Sequence, residues 1–253
     1  MTGYLFDIDG TITEKYGLES PVDKRVIERF PPILKHGGKI ALITGRSEWY
    51  LNDNVLPVLV EHGVLKDVLV LGEYTYFMIC HGEKSWNPEA LEFSREYRNK
   101  LKRKIAELAE EKGVKTKMDD TKYDPETGEL WFEPGVGVLS VRCTPHDTRV
   151  TVDFVYNITM NATRQLGMTQ ERFDIKKGDI SAIVSYADAN KENAARRALE
   201  ILDPNGRIKR WYAVGDSAMD ERMADADARI QFVSVKGLAS RGVLEFLDSI
   251  KPF

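Results

Sequence analysis

The stretch Tyr4-Leu5-Phe6-Asp7-Ile8-Asp9-Gly10-Thr11 decides the fold. Its apolar start predicts a short buried strand, and the carboxylates of Asp7 and Asp9 follow where that strand ends. Open α/β sheets bind ligands at the carboxyl ends of their strands. One carboxylate placed there can attack an electrophile while its neighbour transfers a proton. A solitary Asp-x-Asp is usually a solvated turn, but the following Gly-Thr and the place after the first strand favour a chemical site.

Strands and helices alternate at both ends of the chain. Apolar periodicity, Pro and Gly positions predict these elements in order: a helix beginning at Ser20-Pro21 and ended or kinked by Pro31-Pro32, a strand over 39–43, a helix from Ser47 towards Glu61, a strand over 67–71, a helix over 191–202, strands over 210–214 and 229–233, and a last helix near 240–247. Such alternation predicts an α/β fold with a doubly wound, Rossmann-like parallel sheet.

The middle of the chain breaks that rhythm. It predicts a hairpin after Tyr74, a long amphipathic helix over 88–112, and two pairs of strands, while Thr148 to Met160 fits either a strand or a helix. This mixture is α+β. We therefore predict a discontinuous core of residues 1–84 and 187–253, interrupted by an α+β domain of residues 85–186.

Composition excludes several classes of protein. The 253 residues carry 40 acidic and 36 basic side chains, a net charge of -4, without the basic stripe that is typical of nucleic-acid binders. No apolar run has the length of a membrane span, and no secretory signal is visible. The two cysteines, Cys80 and Cys143, are too few for a disulfide framework. We expect a cytoplasmic monomer or homodimer that binds neither nucleic acid nor a membrane.

Polar residues follow several predicted strands or begin the helix after one. Carboxyl ends of parallel strands share one edge of a sheet, so these side chains are expected to converge. A divalent cation and an ammonium group would let the carboxylates approach a phosphate without repulsion, as phosphoryl transfer requires. The converging residues are Asp7, Asp9, Thr44, Gly45, Lys191, Asp216 and Asp220.

Four motifs resemble those of the haloacid dehalogenase-like superfamily, most closely the Mg²⁺-dependent phosphatases of its Cof-like branch. They are Asp7-Ile8-Asp9-Gly10-Thr11, Leu42-Ile43-Thr44-Gly45-Arg46, Lys191 and Gly215-Asp216-Ser217-Ala218-Met219-Asp220. The domain inserted after the third strand resembles the family's type-II caps, which cover the site and select the substrate. The chain departs from many Cof-like relatives at Gly72-Glu73-Tyr74, where an Asn-Gly pair is usual, and at Met219, where Asn is usual.

The resemblance implies a role for each motif residue. Asp7 would be the nucleophile that forms an aspartyl-phosphate, and Asp9 would protonate the leaving oxygen and later take a proton from water. Asp220 would orient either a metal-bound water or Lys191. The implied Mg²⁺ ligands are Asp7, Asp9 through its carbonyl, Asp216 and Asp220, and the implied substrate-binding residues are Gly10, Thr44, Gly45, Arg46 and Lys191.

The implied function is hydrolysis of a small phosphorylated metabolite, such as a sugar phosphate or a phosphoglycolate-like organic acid phosphate. Two alternatives stay open: a phosphomutase of the phosphomannomutase-like type, and a receiver-like module that accepts a phosphoryl group without turnover. Arg142 and Lys176, in the inserted domain, are candidates for binding a substrate carboxylate.

Overall fold

The structure, a computed structural model, describes residues 1–14, 20–117, 129–143, 150–178 and 180–250. The chain divides into two compact units. One contains Met1–Trp86 and Ala189–Phe253, and the other contains Asn87–Asp188. We call them the core unit and the inserted unit.

The described residues form twelve strands and ten α-helices. The strands are β1 (Thr2–Phe6), β2 (Lys39–Ile43), β3 (Val68–Gly72), β4 (Phe77–Cys80), β5 (Glu83–Trp86), β6 (Thr116–Lys117), β7 (Leu130–Glu133), β8 (Leu139–Arg142), β9 (Phe173–Lys177), β10 (Ser181–Tyr186), β11 (Arg210–Gly215) and β12 (Ile230–Ser234). The helices are α1 (Lys24–Ile27), α2 (Phe30–Lys35), α3 (Glu48–Asn54), α4 (Leu56–Glu61), α5 (Pro88–Phe93), α6 (Asn99–Glu110), α7 (Val152–Gln165), α8 (Lys191–Leu202), α9 (Ala218–Glu221) and α10 (Ser240–Ser249).

The core unit is built on a seven-stranded sheet in the order β12-β11-β1-β2-β3-β4-β5. Strands β12 to β3 are parallel, whereas β4 and β5 form an antiparallel hairpin at one edge. From β1 the chain proceeds to β2 and β3 on one side and later adds β11 and β12 on the other. Strand order therefore reverses between β1 and β11, and this reversal is where open α/β sheets bind ligands. The predicted α/β core is confirmed.

Both faces of this sheet are buried. Along β1, Tyr4 and Phe6 enter one apolar cluster and Leu5 enters the other. Full burial of such side chains stabilises the fold by about 1.5–3 kcal/mol each. A Cβ on Gly3 would lie 2.1 Å from the ring of Trp211, so the small residue lets β1 and β11 pack closely. The sheet thus holds the ends of β1 and β11 rigidly side by side.

The inserted unit has a five-stranded sheet in the order β6-β7-β8-β10-β9. β6 pairs parallel to β7, and the other neighbours are antiparallel. The segment that fitted either a strand or a helix forms α7, whose N-cap Thr151 accepts a hydrogen bond from the Phe154 N–H at 3.2 Å. Residues 148 and 149 of that segment lie outside the described residues.

Two predicted helix boundaries were wrong. The first helix begins at Lys24 instead of Ser20-Pro21, because the Asp23 side chain caps it by accepting from the Arg25 N–H at 3.0 Å. It ends at Ile27, and Pro31 and Pro32 lie in the first turn of α2, where proline needs no N–H partner. No described helix combines the length and apolar composition that a membrane crossing needs.

Candidate active site

The ends of three neighbouring strands bring the predicted residues together. Asp7 follows β1, Thr44 follows β2, and Asp216 follows β11. Lys191 is the first residue of α8, which is capped by the Asn190 side chain accepting from the Asn193 N–H at 2.9 Å. The cap fixes where the helix begins, and therefore where the lysine is held.

Lys191 joins the nucleophile candidate to the last motif. Its Nζ lies 2.5 Å from Oδ1 of Asp7 and 2.9 Å from Oδ1 of Asp220, and it donates to the carbonyl of Ile43 at 2.7 Å. An ammonium group has three donors, and these three partners use all of them. The sequence left open whether Asp220 meets a water or Lys191, and the structure places its carboxylate against Lys191.

Asp220 is itself held by a capping box at the start of α9. The N–H and hydroxyl of Ser217 donate to Oδ2 of Asp220 at 3.0 and 2.6 Å. A Cβ on Gly215 would lie 2.2 Å from the Cβ of Asp220, so only glycine permits this close turn after β11. Gly215 and Ser217 therefore each have a physical reason for their places beside Asp220.

Charge and burial shift the proton affinities in this cluster. Burial raises the pKa of Asp7 to about 7, the nearby Lys191 ammonium acts in the opposite direction, and the Asp220 and Asp9 carboxylates raise it further. Burial also opposes the charge of Lys191, but Asp220 and Asp7 outweigh it and raise its pKa. Against burial, Lys191 and Ser217 lower the pKa of Asp220. The lysine is charged, and the carboxylates around it carry surplus negative charge.

That surplus fits a divalent cation. Oxygen atoms of Asp7, Asp216 and Asp220 all lie within 4.8 Å of one another, with Asp216 the most exposed of the three. Carboxylate oxygens are the ligands that Mg²⁺ prefers. Lys191 pairs with two of these three carboxylates, so a bound cation would balance the remaining negative charge, and the residues fit the predicted metal.

Asp9 faces a different partner. Nε of Arg46 donates to its two oxygens at 3.0 and 2.9 Å, and Nη2 of Arg46 lies 2.5 Å from Oδ1. The guanidinium also stacks over the Tyr50 ring, 4.4 Å from its centre. The Asp9 side chain is therefore held by Arg46, and the prediction that Asp9 serves a metal through its backbone carbonyl stays a prediction. The sequence predicted Arg46 as a substrate-binding residue and did not foresee this pair.

Short-range hydrogen bonds fix the loops after β1 and β2. Gly10 has φ of 70°, a conformation that glycine adopts without strain, and its N–H donates to Oγ1 of Thr13 at 2.9 Å. The hydroxyl of Thr11 donates to Oδ2 of Asp7 at 3.1 Å. After β2, Oγ1 of Thr44 accepts from the Arg46 N–H at 3.1 Å. The contact from Thr11 was missed, although its place four residues after Asp7 brings it within reach in a tight loop.

A residue that sequence reasoning did not assign to the site is Tyr74, in the turn after β3. A Cβ on Gly45 would lie 2.7 Å from both Cζ and the hydroxyl oxygen of Tyr74, so this phenol packs directly on Gly45. The sequence feature that could have drawn attention to Tyr74 is Gly72-Glu73-Tyr74, which stands where many Cof-like relatives have an Asn-Gly pair.

Several solved structures have a similar fold. A trehalose-6-phosphate phosphatase of Aspergillus fumigatus is 15% identical, with a TM-score of 0.59 over 98% of this chain and 91% of that one. A trehalose-6-phosphate phosphatase related protein is 15% identical, with a TM-score of 0.62 over 98% of this chain and 97% of that one. An N-terminally truncated IMP-nucleotidase of Plasmodium falciparum is 14% identical, with a TM-score of 0.60 over 99% of this chain and 70% of that one. No protein-family model and no curated protein sequence matches the chain.

These matches extend over nearly the whole chain, so they concern both units. They confirm the predicted α/β fold. At this level of identity the likeness establishes the fold, and membership of the haloacid dehalogenase-like superfamily and of its Cof-like branch stays a prediction.

Proposed function

We propose that this protein is a Mg²⁺-dependent phosphatase that hydrolyses a small phosphomonoester through an aspartyl-phosphate on Asp7. The observation that carries the proposal is the buried contact of Asp7 with Lys191, beside Asp216 and Asp220, at the reversal of strand order. A carboxylate beside a fixed ammonium and a cation site meets the needs of phosphoryl transfer. The names of the structural neighbours, phosphatases and a nucleotidase, agree with this class of reaction.

In the first step, an oxygen of Asp7 attacks phosphorus and the bond from phosphorus to the leaving oxygen breaks. Asp9 donates a proton to that oxygen, so the alcohol leaves neutral. Arg46 contacts both Asp9 oxygens in the structure, which is the arrangement of an ionised carboxylate. Asp9 therefore has to leave Arg46 and take up a proton from solvent before it can protonate the leaving oxygen. The Lys191 donor that contacts Asp7 in the structure turns to a phosphoryl oxygen as Asp7 attacks, and the Thr44 hydroxyl donates to another phosphoryl oxygen, so both stabilise the developing negative charge.

In the second step, water attacks phosphorus of the aspartyl-phosphate and the acyl–phosphate bond breaks. Asp9 accepts the proton of that water, so the enzyme returns to its starting state and inorganic phosphate leaves. Mg²⁺ held by Asp7, Asp216 and the Asp9 carbonyl would supply positive charge to the phosphoryl oxygens. Asp220 keeps Lys191 in place through both steps.

The substrate class is a small phosphomonoester, a sugar phosphate or an organic acid phosphate. The inserted unit is proposed to act as a cap that selects among such compounds. Both candidates for binding a substrate carboxylate already face a carboxylate in the structure: Arg142 pairs with the buried Glu133, and Nζ of Lys176 lies 3.9 Å from Oδ2 of Asp174.

The test is a screen of phosphorylated metabolites with the purified full chain, with Mg²⁺ or with EDTA. We expect release of inorganic phosphate from sugar or organic acid phosphates, its loss in EDTA, and its return with excess Mg²⁺. Isomerised sugar phosphate without free phosphate would establish the mutase alternative. Stable phosphorylation of the protein without turnover would establish the receiver-like alternative.

A further inference from the structure

The loop after β1 contains two threonines whose hydroxyls have different partners. Oγ1 of Thr13 accepts from the Gly10 N–H at 2.9 Å, so it supports the backbone of the loop. The hydroxyl of Thr11 donates to Oδ2 of Asp7 at 3.1 Å, so it holds the side chain of the proposed nucleophile.

The backbone of this loop closes its turn without the Thr11 hydroxyl. Three consecutive N–H groups, those of residues 11–13, donate to the carbonyl of Ile8 at 3.2, 3.0 and 3.3 Å. Thr11 is 0% exposed, so water does not compete for its hydroxyl, and a buried hydroxyl is expected to have an acceptor. Its acceptor here is a carboxylate, and hydrogen bonds to an ionised group are about twice as strong as neutral ones.

The two oxygens of the Asp7 carboxylate have different donors. Nζ of Lys191 lies 2.5 Å from Oδ1, whereas the Thr11 hydroxyl contacts Oδ2. When the lysine donor turns to a phosphoryl oxygen, Oδ1 loses its donor and Oδ2 keeps its own. A lone pair of Oδ1 then becomes available beside the phosphoryl group, while the bond from Thr11 opposes rotation of the carboxylate.

The charge on this carboxylate changes in opposite directions in the two proposed steps. It is lost when Asp7 bonds to phosphorus, and it returns when water displaces the aspartyl side chain. A hydroxyl binds an ionised oxygen more strongly than the neutral carbonyl oxygen of an acyl phosphate. The Thr11 donor therefore favours the second step, in which the carboxylate leaves.

We propose that Thr11 is a further catalytic residue, whose hydroxyl stays on Oδ2 of Asp7 and stabilises the carboxylate as the aspartyl-phosphate is hydrolysed. In the first step Oδ1 bonds to phosphorus, and the leaving oxygen takes the proton of Asp9. In the second step a water oxygen bonds to phosphorus and loses a proton to Asp9, while the bond from Oδ1 to phosphorus breaks and its electron pair returns to the carboxylate. Thr11 transfers no proton in either step. This inference rests on the proposed phosphatase function.

The test follows the decay of the aspartyl-phosphate in the unaltered protein and in Thr11→Val, which has a similar volume but no hydroxyl. The full chain with Mg²⁺ is phosphorylated from radiolabelled p-nitrophenyl phosphate in a quenched-flow instrument, and excess unlabelled substrate is then added. Loss of a hydrogen bond to a charged oxygen is expected to slow the decay of the label roughly tenfold. Thr11→Ser keeps the hydroxyl and should restore the original rate of decay.

The matched control is Thr163→Val, in α7 of the inserted unit. Thr163 is 4% exposed and donates its hydroxyl to the carbonyl of Met160 at 2.9 Å, so this variant also loses a buried hydroxyl and its hydrogen bond. The label should decay in Thr163→Val as it does in the unaltered protein. If Thr11→Val does not fold, Thr11→Ala is compared with Thr11→Ser, because alanine and serine differ by the hydroxyl alone.

Decay at the original rate in Thr11→Val would overturn the proposal, as would equal slowing in Thr11→Val and Thr11→Ser, or in Thr11→Val and Thr163→Val. The unaltered protein tests the phosphatase function separately. If it acquires no label and releases no phosphate, both proposals fail. If its label decays and the Thr11 hydroxyl does not affect the rate, only the role of Thr11 fails.

Discussion

Each unit of this protein contains a buried ion pair, and the two pairs differ in how they are built. In the core unit, the side chains of Lys191 and Asp7 are 7% and 9% exposed; in the inserted unit, those of Arg142 and Glu133 are both 8% exposed. The first pair joins residues 184 positions apart. The second joins residues nine positions apart on adjacent antiparallel strands.

Their charge balance also differs. Around Lys191 the carboxylates exceed the ammonium, and the excess lies at strand ends. Around Glu133 the cations exceed the carboxylate, since Arg98 also donates to the Glu133 carbonyl at 3.0 Å. Burial of an ion pair therefore does not by itself mark an active site. An active site is better indicated by an excess of charge of one sign at the ends of parallel strands, because a bound ligand of opposite charge balances that excess.

The largest expected effect comes from Asp7→Asn. Removal of the nucleophile should lower phosphate release by roughly 10⁴-fold or more, because the amide cannot form the acyl-phosphate. Circular dichroism should show an intact fold. The matched control is Asp67→Asn, an exposed residue just before β3, which should retain full activity. If Asp7→Asn hydrolysed phosphate at the original rate, the buried pair of Asp7 and Lys191 would have no catalytic role.

Asp9→Asn should distinguish leaving groups. Without a proton donor, hydrolysis of an alkyl phosphate should fall by roughly 10²–10⁴-fold. Hydrolysis of p-nitrophenyl phosphate should fall less in the first step, because its phenolate leaves without a proton. The two substrates are compared by single-turnover kinetics, which isolates that step. An equal loss for both would mean that Asp9 is not the acid.

Glu133→Gln tests whether the buried pair of Glu133 and Arg142 stabilises the fold. It leaves Arg142 buried without its carboxylate, and the free energy of unfolding in urea should fall by about 3 kcal/mol. Phosphate release per folded molecule should persist. The control is Glu200→Gln, at an exposed pair with Arg197, where little change is expected. A stability loss in Glu200→Gln equal to that in Glu133→Gln would show that burial of the second pair is unimportant.

Mg²⁺ should stabilise the folded protein, because it would balance the excess negative charge of the carboxylates around Lys191. At one hundred times its dissociation constant, a bound ion stabilises the folded state by about 2.7 kcal/mol, which should raise the melting temperature by roughly 5 °C or more. Asp216→Asn should reduce this shift, whereas Asp67→Asn should leave it unchanged. The measurement is thermal unfolding with and without Mg²⁺, and an equal shift in Asp216→Asn would exclude Asp216 as a ligand.

Much of the core unit could be predicted because its signals are local. Asp7, Thr44 and Asp216 each follow an apolar run, and parallel topology alone then brings them to one edge. Lys191 was identified by its place at the start of a predicted helix with a recognisable cap, where the resembled family carries a lysine.

Other contacts of the site and of the inserted unit could not be predicted, because a short stretch of sequence does not determine side-chain direction, strand register or tertiary hydrogen bonds. The pair between Asp9 and Arg46 depends on side-chain directions in two loops, and the pair between Glu133 and Arg142 depends on hairpin register. Tyr74 was missed because left-handed turns are normally marked by glycine, whereas here tertiary hydrogen bonds impose the conformation on a tyrosine.

The most direct test of the central claim is to identify the residue that carries the phosphoryl group. Enzyme quenched during turnover is reduced with borohydride, which converts an aspartyl-phosphate to homoserine, and the peptide containing Asp7 is sequenced by mass spectrometry. We predict homoserine at position 7 and nowhere else, dependent on substrate and Mg²⁺. Homoserine at another aspartate, or phosphate release by an enzyme whose Asp7 is never modified, would contradict the account.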